Sequence, residues 1–148
     1  MTGFGVMILI AAAAAQAAAP PPAGADWRVV LTDREPDVGR IVAFADAGTM
    51  SRTGDKVRFW LEYRLERAAE GADGYRGYVS ADCAAFTYGS TGLARLAGAR
   101  LIEADGEESG LTAAPGTSMR AAIEAVCTKS WRSPRVDPVA HARAEFAR

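Results

Sequence analysis

Val57-Arg58-Phe59-Trp60-Leu61-Glu62-Tyr63-Arg64-Leu65-Glu66 is the stretch that decides the fold. Val57, Phe59, Leu61, Tyr63 and Leu65 alternate with Arg58, Trp60, Glu62, Arg64 and Glu66. A period of two sustained over that length predicts a long strand with one face on a core and the other toward water. Antiparallel sheets tolerate a solvated face, so a mainly antiparallel sheet is the class that follows. Trp60 interrupts the polar face. A loop or helix lying over it is the expected reason; the alternative is an aromatic exposed for binding, with Arg58 and Arg64 beside it as a ligand-facing strip.

Working outward, Trp27 to Leu31 and Gly39 to Asp46 read as strands, separated by a turn at Arg34-Glu35-Pro36-Asp37. Thr53-Gly54-Asp55 turns the chain into the long strand. Ala68 to Gly77 has the composition of a flexible connection. Tyr78 to Tyr88 reads as a strand carrying Cys83, Gly89-Ser90-Thr91-Gly92 as a turn, and Leu93 to Ala104 as a returning strand kinked at Gly98. Asp105-Gly106 is a tight hairpin signal, because both central positions of such a turn need positive φ. Glu107 to Thr112 then pairs briefly.

Pro115-Gly116-Thr117 opens a helix, with Thr117 or Ser118 as N-cap. Met119, Ala122, Ile123, Val126 and Cys127 fall on one apolar stripe, so Cys127 faces whatever the helix packs on. In the basic tail, residues 129–148, Asp137-Pro138 has the form of a helix start, with Asp137 as cap and Pro138 in the first turn. The fold class is therefore α+β: an antiparallel sheet with a C-terminal helix packed on it, residues 27–128 forming one domain.

The first charged side chain is Asp26. Before it, Phe4 to Ile10 is strongly apolar, Ala11 to Ala19 is mostly alanine, and three prolines follow. A short apolar core ahead of small residues is the pattern of a secretory signal, expected over residues 1–19, with 20–26 as a linker. Its n-region lacks Lys and Arg, and an uncleaved anchor is the alternative; the proline run and the weak membrane preference of alanine argue against it. No cysteine near the cut offers a lipid attachment point. An exported chain with two cysteines reads as one structural disulfide, Cys83 with Cys127. The expected location is the periplasm or the medium, with membrane contact only through the signal.

Composition narrows function more than it assigns it. The 148-residue chain has a formal net charge of −1, which gives no electrostatic case for nucleic acid. The only histidine is His141, in the tail, so a Ser–His or Cys–His nucleophile is not expected. Two cysteines do not make a zinc site. No phosphate loop is present, and no cofactor is expected. Glu103, Asp105, Glu107 and Glu108 form an acidic cluster read as solvated surface. Arginine far outnumbers lysine and alanine is abundant, as in a GC-rich bacterial genome.

One set of motifs resembles the surface-adhesin protein E family of small Gram-negative envelope proteins. It runs from Trp27 through Asp46-Ala47-Gly48-Thr49-Met50, Arg52, Gly54, Val57-Arg58-Phe59-Trp60, Asp82-Cys83 and Pro115-Gly116-Thr117 to Cys127. The resemblance implies a sheet with a C-terminal helix tied by Cys83–Cys127, and a role in adhesion to proteins. The resulting expectation is a non-catalytic, adhesin-like binding module for a protein or other envelope or extracellular ligand. A periplasmic enzyme with a carboxylate-based site, or a purely structural envelope protein, are the alternatives.

Overall fold

A computed structural model describes residues 24–148. The expected signal at 1–19 and the first part of the linker lie outside them. Seven strands form one antiparallel sheet: β1 (Trp27–Glu35), β2 (Gly39–Asp46), β3 (Ser51–Thr53), β4 (Lys56–Ala69), β5 (Ala72–Asp82), β6 (Thr87–Ala97) and β7 (Arg100–Thr112). The order is β1-β2-β4-β5-β6-β7, with short β3 hairpinned onto the start of β4. Two helices follow, α1 (Ser118–Thr128) and α2 (Pro138–Phe146). The sheet-plus-helix class and the disulfide hold, but the helical part is two helices rather than one.

The alternation in β4 sorts its side chains as expected. Val57, Phe59 and Leu61 join Val79 and Ala81 of β5 beneath α1, where Ala122, Ile123 and Val126 complete the core. Each large aliphatic buried in this way contributes about 1.5–3 kcal/mol. Thr117 caps α1 by accepting from the Arg120 N–H at 3.2 Å. Lys129, in the left-handed conformation, ends it by donating to the Val126 carbonyl at 3.1 Å, a C-terminal cap that satisfies orphan carbonyls.

The opposite face of β4 is not in water around its centre: the cover expected over Trp60 is present, but Glu62 and Arg64, expected toward water, are buried as well. After α1 the chain crosses the free edge of β1 and lays α2 on that face. The crossing is hydrogen-bonded: Arg132 N–H donates to the Val29 carbonyl at 2.8 Å and Val136 N–H to the Trp27 carbonyl at 2.9 Å, while Val29 N–H donates to Ser133 Oγ at 2.9 Å. Asp137 then caps α2 through the Ala140 N–H at 2.8 Å. Trp60, 5% exposed, is buried with Trp27, Val29, Val42, Phe44 and Ala142. Period two says which residues share a face; it does not say that a distant segment will cover it.

The second half of the sheet departs further from the sequence reading. The supposed connection at 68–77 is a hairpin, with Glu70 and Gly71 both at positive φ. Cys83 lies past the end of β5, in a turn that Asp82 builds by accepting from the N–H groups of Ala84 and Ala85 at 2.8 Å. Gly89 to Gly92 lies within β6, and Asp105-Gly106 lies within β7, because the β6–β7 ladder absorbs them as register shifts. The real reversal is at Gly98-Ala99, where Gly98 N–H donates to Asp73 Oδ1 at 2.9 Å. Local glycine and Asp-Gly signals mark bulges and turns alike, so pairing partners decided which they became.

Cys83 and Cys127 are bonded, with Cα atoms 5.9 Å apart and a sequence separation of 44. The bridge ties the β5–β6 turn to the end of α1. Closing a loop of that size corresponds to roughly 4 kcal/mol of chain entropy.

Denatured, unreduced protein should show no titratable thiol, and Cys83→Ala or Cys127→Ala should each cost about 2–5 kcal/mol in a urea titration. Trp60→Ala should cost about 3–5 kcal/mol; a variant melting with wild type would contradict its burial.

Candidate functional site

The sequence-nominated residues Arg58, Trp60 and Arg64 all lie on the α2 face of β4, but they do not share one open surface. Arg58 is exposed, beside a recess of about 300 Å³ lined by Tyr78, Ser80, Thr91 and Glu108. Trp60 packs under the tail, with the Tyr78 ring 5.4 Å away. Arg64 is buried among charged groups at the other end.

Those groups form the densest chemistry in the molecule. Register places Glu62 opposite Arg76, and Arg64 opposite Gly74. A Cβ at Gly74 would come within 2.7 Å of the Arg64 guanidinium, so the glycine is what lets that side chain cross β5. Arg64 donates through Nε and Nη2 to Glu62 Oε1, and through Nη1 to the Gly98 carbonyl at 2.6 Å. Arg76 Nη2 reaches Glu62 Oε2 at 3.1 Å. The Glu62 side chain is 1% exposed. A carboxylate so far from water is tolerable only when paired and hydrogen-bonded. Here both oxygens are taken, and among the described residues no buried side-chain polar atom lacks a partner.

Above this cluster, between the sheet and the approach to α2, is a cleft of about 470 Å³ lined by Glu62, Arg64, Arg76, Trp27, Arg135 and Asp137, among others. A second, of about 440 Å³, opens beyond Arg64 beside Asp73, Val139 and Phe146. Sequence reasoning picked out Arg64 but missed Arg76 and Arg135. The usable signal was the glycine facing Arg64, which becomes visible only once the register is known.

Other charged groups hold the covering segment in place. Arg40 donates to the Glu145 and Phe146 carbonyls at 2.9 and 2.7 Å, tying down the end of α2, and its Nη2 pairs with Glu66 at 2.9 Å. The hydrogen bond from the Arg40 side chain, joined by the Arg40 backbone N–H, pulls the Glu66 carboxyl down to about 2. His141 stands edge-on to Phe44 at 5.8 Å, an aromatic packing role. Asp46, fully buried, accepts from the N–H groups of Asp26 and Gly48 at 2.9 Å and from Thr49 Oγ1 at 2.6 Å. That explains Asp46-Ala47-Gly48-Thr49 as a turn held by its own carboxylate.

The other notable surface is β7. It is exposed along its length apart from half-buried Leu111, and its outer edge has no partner strand in the sheet order. Leu101 and Ile102, 57% and 38% exposed, are the exposed large hydrophobics among the described residues. Glu103, Asp105, Glu107 and Glu108 lie on the same strand. Among the described residues no helix is long and apolar enough to cross a membrane, and no three His, Cys, Asp or Glu side chains gather as metal ligands. Comparison of the chain with protein-family models, curated proteins and solved structures finds no match.

Glu62→Ala would leave the Arg64 guanidinium buried without its main partner. It should cost about 3–5 kcal/mol by urea unfolding, the usual result of breaking a buried pair from one side. The Glu66 shift has a definite sign. Its folded pKa lies below the ordinary 4.5, so its contribution to stability is complete above that value and is lost as pH falls toward about 2. Urea midpoints measured through this window should fall more steeply for wild type than for Glu66→Gln; parallel curves would contradict the Arg40 clamp.

Proposed function

We propose that the chain is an exported, non-catalytic binding module of the bacterial envelope that takes a protein partner along β7. The observation that carries this reading is the asymmetry of the sheet edges. The β1 edge is hydrogen-bonded by the chain's own segment at 132–136, whereas β7 leaves its outer backbone groups open beside Leu101 and Ile102. A free edge next to exposed apolar side chains suits strand addition by an extended segment.

Charge selects the occupant. A second copy pairing antiparallel through β7 would bring the acidic run around Gly106 against itself, and like charges facing each other across strands are destabilising. The register shifts along β6–β7 also twist the edge against indiscriminate pairing. A partner segment carrying Lys or Arg between apolar residues meets both features favourably. The disulfide is consistent with an oxidising compartment, and the uncharged leader and the resemblance to surface-adhesin protein E support export and an adhesin-like role, in the periplasm or beyond it.

Protein retained from envelope extracts by the mature domain should be released by moderate salt. It should also be lost with the double variant Ile102→Lys, Glu107→Lys at an unchanged melting temperature. Retention indifferent to both would remove β7 as the docking strand. Export has its own check: intact mass of protein made in its host should place the first residue between Ala18 and Ala23, and recovery of the full-length chain from membranes would defeat it.

A further inference from the structure

The 470 Å³ cleft offers more than the salt-bridge cluster at its floor. Arg64 is fully engaged there, by Glu62, the Gly98 carbonyl and, at 3.5 Å, Asp73 Oδ1. Arg76 is not. It gives Nε and Nη2 to Glu62 Oε2 at 3.3 and 3.1 Å, while Nη1 makes no hydrogen bond among the described residues, and the side chain stays 29% exposed. Its guanidinium also lies over the Trp27 ring, 5.7 Å from the centroid. Glu62 on one side and the indole on the other thus hold it in one orientation. Arg135 enters from the opposite wall, anchored by Nη2 on the Gly24 carbonyl.

We infer that this cleft binds a small planar organic carboxylate. Three guanidiniums line it against two carboxylates, and both carboxylates are committed, Glu62 to the two arginines and Asp137 to the cap of α2. Among the lining residues one positive charge is in excess, and the Asp73 carboxylate behind Arg64 offsets part of it, which suits a monoanion better than a phosphate dianion. A flat carboxylate presents two oxygens to guanidinium edges in the geometry that forks recognise. The lining is mainly polar, and Val136 and Val139 with the edge of Trp27 supply a smaller apolar part for the rest of the molecule. The cleft and β7 belong to different parts of the sheet, so this inference does not depend on the partner-docking reading.

The test titrates the intact domain with benzoate, following amide and indole resonances, with inorganic phosphate as a second probe. Benzoate should bind saturably and move the Trp27 indole, Val136 and Val139 signals. Arg135→Ala should weaken it about tenfold with the melting temperature kept, Arg135→Lys should fall between, and Arg67→Ala, remote from the cleft, should match wild type. Arg76→Lys keeps a charge beside Glu62 but loses the fork, and should weaken benzoate as well. Absence of saturable benzoate binding, shifts confined to other surfaces, or affinity unmoved by both arginine variants would each overturn the assignment. Tighter binding of phosphate than of benzoate would overturn its carboxylate character.

Discussion

Moving a carboxylate out of water costs several kcal/mol unless its charge is met and its lone pairs are filled. Glu62 meets that condition by sitting between Arg64 and Arg76, one guanidinium on each oxygen. The rest of the architecture depends on this arrangement. β4 carries charged residues on a face that the fold covers, and the two arginines are what allow Glu62 to be buried there. The cluster makes a wet-patterned strand compatible with burial on both sides.

The covering segment in turn does two jobs. On its way from α1 to α2 it hydrogen-bonds to β1 at Val29 and Trp27, removing one of the two sheet edges from solvent. It then places Ala142 and Phe146 against the aromatic patch around Trp60. Arg40 fixes its end through carbonyls of α2, and the disulfide fixes its beginning through Cys127. Both ends of the wrap are thus anchored independently, one electrostatically and one covalently. The anchor at Arg40 weakens in acid through Glu66, whereas the disulfide does not respond to pH in that range.

Legibility in the sequence followed the range of the interaction responsible. The core of β4 was readable because alternation is local, and both helix starts because Thr117 and Asp137 act within one turn. The Cys83–Cys127 pair was readable because only two cysteines were available. The β5–β7 region was misread where glycine signals were ambiguous: Gly71 and Gly98 make reversals, while Gly92 and Gly106 sit inside strands. Only the neighbouring strand decides between those outcomes. At the site, Arg64 was visible as a charge on an alternating strand, yet Arg76 and Arg135 were not. One reaches Glu62 by cross-strand register and the other arrives from the tail, some 70 residues downstream of β4.

The two halves of the sheet therefore bear different constraints. β1, β2 and β4 are sandwiched between helices and contribute most of the fully buried side chains, so substitutions there are read mainly as changes in stability. β7 buries little, and its loss of ordered contacts would leave the core formed by α1 and β4 largely intact. A surface that contributes little to folding is free to carry charges, bulges and exposed leucine and isoleucine that a core strand could not tolerate. That freedom, set beside an opposite edge that the chain covers with its own backbone, is the physical reason for proposing β7 as the recognition surface rather than the aromatic patch, which folding itself consumes.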